Sequence, residues 1–588
     1  MAAPIRIANC SGFFGDRISA AREMVADGPI DVLTGDWLAE LTMLILARTR
    51  LRQPGVGYAR SFLTQMDEVL GPCLERGIKV VSNAGGLEPQ RCAEAVAEIA
   101  ERLGLSARVA YVNGDDLLPR LDELISAGVD LAHLDTGAPV GDISRFVSAN
   151  AYLGCFGIVE ALTRGADVVV TGRVTDAALV CGPAAWRHGW ARDDFDALAG
   201  AVVAGHVVEC GAQVTGGNYS FFTEVPGMEH VGFPWVEVAE DGSSIVGKHE
   251  GTGGEVSVGT VTSQLLYEIG APTYLGPDVS ARFDTISLEQ VNRDRVRIFG
   301  VRGEAPPSTL KVAMNELGGY RQDVNVAITG LDVEAKAALL DEAFWRACPH
   351  RREEFDGVTT RLVRTDKADP ATNEEAVSLW RLTLKDRDEL KVGRAVANAA
   401  VELALATIPG FFLVGSTPSG GSPFGVYRPS RVPSSLVPQY VTVLGEETTV
   451  VDSLAPTGSV VVTPLAGPSA AVPDGPTARV PLGLVVGARS GDKGGDANLG
   501  VFARRDDAWA WLDEFLTLDQ LVRLLPEAAA LDVERHRLPA IRALNFVLHG
   551  LLEEGVAAST RQDAQAKGLG EWLRSRVVDV PAALLGVP

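Results

Sequence analysis

Several signatures that would name a chemistry are missing from this 588-residue sequence. Its seven cysteines (Cys10, Cys73, Cys92, Cys155, Cys181, Cys210, Cys348) stand apart with no CxxC spacing. That reads as reduced thiols, not as a disulfide framework or a zinc cluster. The eight histidines form no HxH or HExxH pattern, so no metal site is expected. There is no Walker A sequence, and Asn9-Cys-Ser-Gly-Phe-Phe-Gly15 has the wrong glycine spacing for a dinucleotide fingerprint. No apolar run is long enough to span a bilayer. The N-terminus enters a strand, Ile5–Ala8, without the basic region and long apolar run of a signal peptide, and a cytoplasmic protein is expected. Positive charge is also short: 53 Lys and Arg against 76 Asp and Glu leave a net charge of −23. That balance argues against non-specific nucleic-acid binding and against anionic membranes, while leaving room for a locally basic pocket with an anionic small molecule.

What is present is ordinary core material. A hydrophobic content of 46% with 22% charged residues suits a well-packed chain, and the length suits roughly two to four domains. The chain is organised around Ala166-Asp-Val-Val-Val-Thr-Gly-Arg-Val-Thr-Asp176. Val168–Val170 is a β-branched run of the kind found in buried parallel strands. It ends at Thr171-Gly172, and Arg173, Thr175 and Asp176 follow where a helix begins. Ligands in open α/β sheets bind beyond the carboxyl ends of the strands. Arg173 offers a planar fork to a carboxylate or phosphate, and Asp176 an acceptor or base. The same residues also read as a helix cap at Thr175 and an Arg173–Asp176 ion pair.

Short apolar strands alternate with helical stretches up to about residue 210, which implies a parallel sheet with right-handed crossovers. Strands are expected at Ile5–Ala8, Ile30–Leu33, Ile78–Val81, Val109–Val112, Val129–Leu134 and Val168–Val170. Each runs into a cluster of Gly with Asn, Asp or Thr. Ser11, Asp36, Asn83 with Gly85 and Gly86, Asn113 with Asp115, and Thr171 with Gly172 and Arg173 would then line one rim. A helix over Leu198–Val208 places His206 and Glu209 on one face beside Cys210. That trio reads either as a nucleophile set or as a buried thiol and a hydrogen-bonded histidine. Gly217 and Asn218 follow in a flexible loop. Pro234–Gly247 reads as a hairpin turning at Asp241-Gly242. Thr252 and Gly253 lie in a Gly/Thr loop before a helical run at Val261–Ile269, the arrangement of many anion sites and of many plain helix starts.

From about residue 320 the order β-α-β-β-α-β indicates a ferredoxin-like unit. Its members are Val324–Ile328, Val333–Cys348, Gly357–Val363, Val377–Leu384, Val392–Ala406 and Tyr440–Leu444, with a polar loop at Gly415–Phe424. Residues 445–480 read as a linker. A last module opens with strands at Leu482–Ala488 and Leu499–Ala503 around a long loop, Arg489–Asp496. There Arg489, Asp492 and Lys493 sit among glycines, as in an anion nest. The expected architecture is α/β. A parallel-sheet domain spans 1–319, a ferredoxin-like α+β region 320–444, a linker 445–480, and a small α+β module 481–588.

Asn9–Gly15, Thr34-Gly-Asp-Trp-Leu-Ala-Glu40, Ser82-Asn-Ala-Gly-Gly86, Thr171-Gly-Arg173 and Gly259-Thr-Val-Thr-Ser-Gln-Leu-Leu-Tyr-Glu268 together resemble the acyclic terpene utilisation (AtuA-type) family. Ala488-Arg-Ser-Gly-Asp-Lys-Gly-Gly-Asp-Ala-Asn498 resembles the ferredoxin-fold module that accompanies it. The resemblance implies a place in catabolism of acyclic terpene or branched acyl-CoA thioesters, and supplies no established catalytic residue. Joined to the residues, it gives an expected non-redox hydratase or lyase on an acyl-CoA or related carboxylate. Asp36, Asp115, Asp176 and Glu209 are the acid and base candidates. Ser11, Asn83, Gly85, Gly86, Asn113, Thr171, Gly172, Arg173, Gly217, Asn218, Thr252, Gly253, Arg489, Asp492 and Lys493 are the substrate-binding candidates. No cofactor is expected beyond the CoA of the substrate, and the expected partners are that small molecule and further copies of the chain. Two alternatives stay open: an amide or thioester hydrolase using Cys210 and His206, and a non-catalytic acyl-CoA-binding or scaffolding subunit.

Overall fold

The valines of the organising strand divide between two layers. In the computed structural model, which describes residues 3–415, 420–453 and 462–586, Val168 and Val170 pack into one hydrophobic cluster and Val169 into another. That is the period-two alternation of a strand covered on both faces. The strands β1 (Ile5–Asn9), β2 (Val32–Gly35), β3 (Lys79–Ser82), β4 (Val109–Asn113), β5 (Phe146–Ala151) and β6 (Val168–Thr171) follow the expected runs closely, except at β5. Five of them form a parallel core in the order β1-β2-β3-β6-β4. The sheet is mixed, not wholly parallel. The hairpin β7 (Pro234–Val238) and β8 (Ser244–Lys248) extends it antiparallel past β1, and Arg295–Phe299 and Ser287–Asn292 continue it. Gln439–Val443 and Thr449–Val451 extend it past β4.

The crossovers change sides at one place. After β1, β2 and β3 the chain runs through α1 (Ala20–Ala26), α2 (Glu40–Arg52), α3 (Arg60–Arg76) and α4 (Pro89–Arg102), which pack in one layer. After β4 and β6 it runs through α5 (Leu121–Ser126), α6 (Phe156–Thr163), α7 (Ala178–His188) and α8 (Phe195–Val208), which pack in the other. Because β3 and β6 are neighbours, the connections part between them. This is the topological switch point, where the carboxyl ends of open α/β strands leave a crevice.

Four expectations are corrected here. The expected strand Val129–Leu134 does not form. The Asp130 carboxylate accepts the Ala132 N–H at 3.0 Å and His133 Nδ1 accepts the Asp135 N–H at 3.2 Å, so side chains take the donors a ladder would need. The strand between β4 and β6 is instead β5, which pairs with the long strand Thr309–Thr329. The helix expected at Val261–Ile269 is α9 (Val258–Leu265), starting earlier because Ser257 and Thr260 form a capping box. The strand expected at Tyr440–Leu444 is present as Gln439–Val443, but it pairs with β4 of the large sheet. The expected linker also carries structure, Thr449–Val451 in that sheet and Thr477–Pro481 paired with Val577–Pro581; residues 454–461 lie outside the described residues.

The chain divides into a larger unit of residues 1–315, 427–556 and 563–588 and a smaller one of 316–426 and 557–562. In the smaller unit Gly357–Val363, Val377–Asp386, the later part of Thr309–Thr329, and Phe412–Leu413 form the sheet in that order. The helix Val333–Ala347 makes the split β-α-β crossover of a ferredoxin-like unit. Phe412–Leu413 takes the fourth place that the sequence assigned to residues 440–444. Residues 416–419 of the expected Gly415–Phe424 loop lie outside the described residues.

Apart from residues 557–562, the C-terminal module is part of the larger unit. Its sheet runs Val486–Lys493, Asp496–Ala503, Ala543–Leu548, Val533–Leu538. The helices Asp506–Phe515 and Leu518–Leu524 cross between two parallel strands with a third strand between them, again a split β-α-β. The expected long loop Arg489–Asp496 is mostly strand. Lys493 pairs directly with Asp496, and Gly494-Gly495 makes a two-residue turn with Gly494 at φ +69°. Alternating side chains, not a curled loop, therefore present Arg489 and Lys493.

Candidate functional site

The carboxyl ends of the parallel strands are tied to one another. The Asp36 N–H after β2 donates to the Ser11 carbonyl after β1 at 2.9 Å. One Asp36 carboxylate oxygen accepts from Leu38 N–H at 3.0 Å and from Asn83 Nδ2 after β3 at 2.6 Å. Asn83 in turn accepts the Trp37 N–H at 2.9 Å. After β6 the Arg173 N–H donates to Asp115 after β4 at 2.9 Å, and Asn150 donates to the same oxygen at 2.8 Å. The rim expected from the repeated polar endings is thus one network. Ser11, Asn83 and Asp115 are consumed in building it. Gly172 lies where a Cβ would stand 2.3 Å from Asp115, and the Thr171 hydroxyl donates to the Gly172 carbonyl at 2.9 Å. Gly85 packs on Thr171 and Pro89.

Arg173 is 2% exposed and sits in the switch-point crevice. Its guanidinium donates to the Leu38 carbonyl at 3.2 Å and to Asp176, and lies 4.1 Å over the Tyr152 ring. Burial works against its charge, and Asp176, Tyr152, Glu40 and Asp36 more than offset that. Asp36 is pushed well above the ordinary carboxylate range by burial and by Asp176.

Beyond Arg173 lies a cluster that the sequence reading only half assembled. Glu40, at the first turn of α2, accepts from the Tyr152 hydroxyl at 2.8 Å, from Lys311 at 3.3 Å and from the Tyr427 hydroxyl at 3.4 Å. Although burial opposes it, Lys311 and Arg173 hold Glu40 ionised, with its pKa down at about 2. Lys311 stays firmly cationic: Tyr152, Tyr427 and Glu40 outweigh its burial. The side chains of Lys311, Glu40 and Asp176 keep 38%, 30% and 27% of their surface accessible, so the cluster opens to solvent.

Strand Val486–Lys493 contributes the rest. The Lys493 ammonium donates to the Glu268 carbonyl at 3.1 Å, and burial and Lys311 lower its pKa. Asp492 is raised to about 7 by burial, Glu268 and Glu40, against Lys567. Glu268 is raised by burial, with Glu40 and Asp176 adding to it and the Tyr267 hydroxyl and Lys567 opposing. Arg489 stacks 4.2 Å over Tyr267 and donates to Gln213, while Lys567 donates to the Tyr267 hydroxyl at 2.7 Å.

His206 and Glu209 share the α8 face as expected, 3.0 Å apart but outside hydrogen-bonding alignment. Burial pushes His206 down to about 4 and Glu209 well up, the latter reinforced by Asp176 and Glu268. Burial thus disfavours charge on both side chains, and among the described residues one Glu209 oxygen has no hydrogen-bond partner. The Cys210 thiol is pushed well above its ordinary value by burial, Glu209 and Glu268.

The remaining candidates lie elsewhere. Gly86, Asn113 and Asp115 border a separate cavity of about 380 Å³ at the ends of β3 and β4, beside the start of α4. The loop around Thr252 is held by internal bonds: its hydroxyl donates to the His249 carbonyl at 2.7 Å, and Gly253 packs against Gly227. The following helix is already capped by Ser257. Those bonds engage the Thr252 hydroxyl and the helix start that the expected anion site would use. Gly217 packs on Ala212, and Asn218 is an exposed turn residue at φ +59°. Glu40, Tyr152, Lys311, Tyr427, Glu268 and Lys567 were missed. Glu40 and Glu268 close two of the motifs quoted above, which was their only signal; the other four come from distant segments. Among the described residues, no three His, Cys, Asp or Glu side chains are grouped to hold a metal ion, and no helix is long and apolar enough to cross a membrane.

Residues 5–443 match the family described as acyclic terpene utilisation family protein AtuA, and residues 480–579 match the AtuA ferredoxin-like domain. No curated protein and no solved structure matches the chain. On a match covering most of its length, the chain belongs to the acyclic terpene utilisation (AtuA) family and ends in that family's ferredoxin-like domain.

Proposed function

We propose that the protein is a non-redox enzyme of acyclic terpene or branched acyl-CoA breakdown, a hydratase or lyase acting on an acyl-CoA or related carboxylate. The observation that carries this reading is the pairing of proton-holding carboxyls with fixed cations. Asp492 near 7 and the raised Glu268 and Glu209 stand in one cluster with Lys311, Lys493 and Arg173. A carboxyl poised near neutrality exchanges protons efficiently at the pH of the cell. An ammonium stabilises the enolate-like oxygen that forms when a thioester carbonyl takes up negative charge.

For water addition, a carboxylate takes a proton from water as the water oxygen bonds to the β-carbon. The π-electron pair moves to the thioester oxygen beside a cation, and a protonated carboxyl returns a proton to the α-carbon. Dehydration is the reverse, and C–C lysis uses the same enolate. Asp492 and Glu268 are the groups proposed to exchange the protons, with Lys311 and Lys493 on the anionic oxygen. The CoA is carried by the substrate.

The Cys210 hydrolase is the less favoured alternative, because burial drives the thiol upward and away from the reactive thiolate. The test is incubation with a panel of saturated, α,β-unsaturated and hydroxylated branched acyl-CoAs, followed by mass spectrometry. Gain or loss of water, or cleavage to a shorter acyl-CoA, supports the proposal. Release of free CoA and acid supports a hydrolase, and binding without turnover supports a scaffolding subunit.

A further inference from the structure

Immediately after α9 the chain makes a turn, residues 266–270, whose backbone is held by side chains of the C-terminal module. Asn498 Oδ1 accepts the Glu268 N–H at 2.8 Å, and Asn498 Nδ2 donates to the Leu266 carbonyl at 2.7 Å. The same Nδ2 lies 2.7 Å from Asn545 Oδ1, so its second hydrogen joins the two asparagines. Asn545 Nδ2 donates to the Gly270 carbonyl at 2.8 Å and the Ile269 carbonyl at 3.3 Å. Lys493 takes the Glu268 carbonyl from the other side. Both asparagines are fully buried. They sit diagonally on one face of neighbouring strands, since Asn498 is opposite Val547 and Gly500 opposite Asn545.

The turn is one the chain does not adopt unaided. Glu268 has φ +57°, the left-handed region that an L residue with a long side chain seldom enters. The module reaches it because two strand positions carry no side chain. A Cβ on Gly491 would lie 2.4 Å from the Tyr267 ring, and one on Gly500 2.4 Å from the Leu266 Cβ. Strained backbone held in place by over-determined contacts is typical of functional sites, and here the strained residue carries a carboxyl of the cluster.

We propose that Asn498 and Asn545 are positioning residues of the site: they hold the left-handed turn at Glu268 and so fix where its carboxyl stands. The ferredoxin-like domain then acts in the same chain as the second half of the site. The proposal rests on reading the Glu40–Glu268–Asp492 cluster as the place of reaction, and the first readout below does not depend on that.

Full-length protein labelled with ¹³C at glutamate carboxyls is titrated by NMR, with the Glu268 signal assigned by its loss in Glu268→Gln. In the wild type Glu268 titrates above the ordinary glutamate range. In Asn498→Ala and Asn545→Ala it moves back toward that range, by on the order of one pH unit. Should either alanine variant fail to fold, Asn545→Ser, which keeps a polar group but loses the reach to Gly270, decides with the same direction of shift. With an acyl-CoA turned over by the wild type, the variants lower kcat at nearly constant KM, and their pH profiles move with the Glu268 titration. A Glu268 titration and pH profile identical to wild type, with only the melting temperature lowered, overturns the proposal and leaves the asparagines as glue between segments. If the wild type turns over no acyl-CoA, the functional reading fails while the NMR titration still decides the positioning role.

Discussion

The Glu40 carboxylate accepts the Tyr152 hydroxyl at 2.8 Å, joining the start of the second helix to the chain just after β5, 112 residues on. The same carboxylate oxygen also takes Lys311 at 3.3 Å. A hydrogen bond to a charged group contributes about 1.5–3 kcal/mol. Tyr152→Phe should therefore lose about that much in chemical denaturation. In a double-mutant cycle with Glu40→Gln, the coupling should fall in the range of about 0.5–3 kcal/mol expected for contacting residues. Strict additivity would mean that the two side chains do not interact in solution.

Arg173 is buried with Asp176 at its guanidinium and Tyr152 under its plane. Removing one partner of a buried pair leaves an uncompensated charge and costs about 3–5 kcal/mol. Arg173→Ala should lose stability on that scale. Arg173→Lys should lose less, because charge persists while the fork and the stacking go. Both variants should bind acyl-CoA more weakly by calorimetry. Unchanged stability in Arg173→Ala would contradict the geometry.

Asp115 makes a pH prediction. Burial raises its carboxyl from an ordinary 3.8 to about 7. Between those values the folded protein holds a proton that the unfolded chain has released, so Asp115 draws stability down as pH rises from about 4 to 7. Asp115→Asn removes the titration. The variant should gain on the wild type as pH rises from about 4 to 7, each displaced pH unit being worth about 1.4 kcal/mol. Parallel stability–pH curves for the two proteins would show that Asp115 is not held protonated.

The switch-point rim was legible because backbone rules govern it. β-branched runs ended by Gly, Asn, Asp and Thr place strand ends, and parallel pairing places those ends together. Asp36, Asn83, Asp115 and Arg173 were found in this way. Lys311, Tyr152 and Tyr427 were not, because each enters from a segment with no local motif, brought in by long-range strand pairing. The strand at 440–444 was located correctly and assigned to the wrong sheet for the same reason: periodicity marks a strand and says nothing of its neighbour. The loop read at Arg489–Asp496 failed on composition. Its charges and glycines look like a solvated turn, yet Arg489, Ser490 and Gly491 are all buried, Arg489 on Gln213 and Gly491 against the Tyr267 ring.

That burial predicts the outcome of truncation. Phe502, Leu538, Ile541 and Ala543 of the module pack in the same hydrophobic cluster as the α7 and α8 layer. Ser220 exchanges hydrogen bonds with the backbone of Ala488 at 2.8 and 3.0 Å. Deleting residues 481–588 should leave an aggregating or strongly destabilised remainder, seen in light scattering and calorimetry. A monodisperse truncated protein with wild-type melting would mean that the module is independent of the rest.

The central claim is that Asp492 and its neighbours exchange protons with an acyl-CoA. The most direct test is mass spectrometry of acyl-CoA products formed in H₂¹⁸O by wild type, Asp492→Asn and Cys210→Ser. The account predicts ¹⁸O in a hydroxyacyl-CoA or the matching loss of water, or C–C cleavage, in the wild type. Cys210→Ser should retain this turnover, and Asp492→Asn should lose about 10²–10⁴-fold in kcat, as for a general acid or base. Release of ¹⁸O-labelled free acid and CoA that vanishes in Cys210→Ser and persists in Asp492→Asn would contradict it.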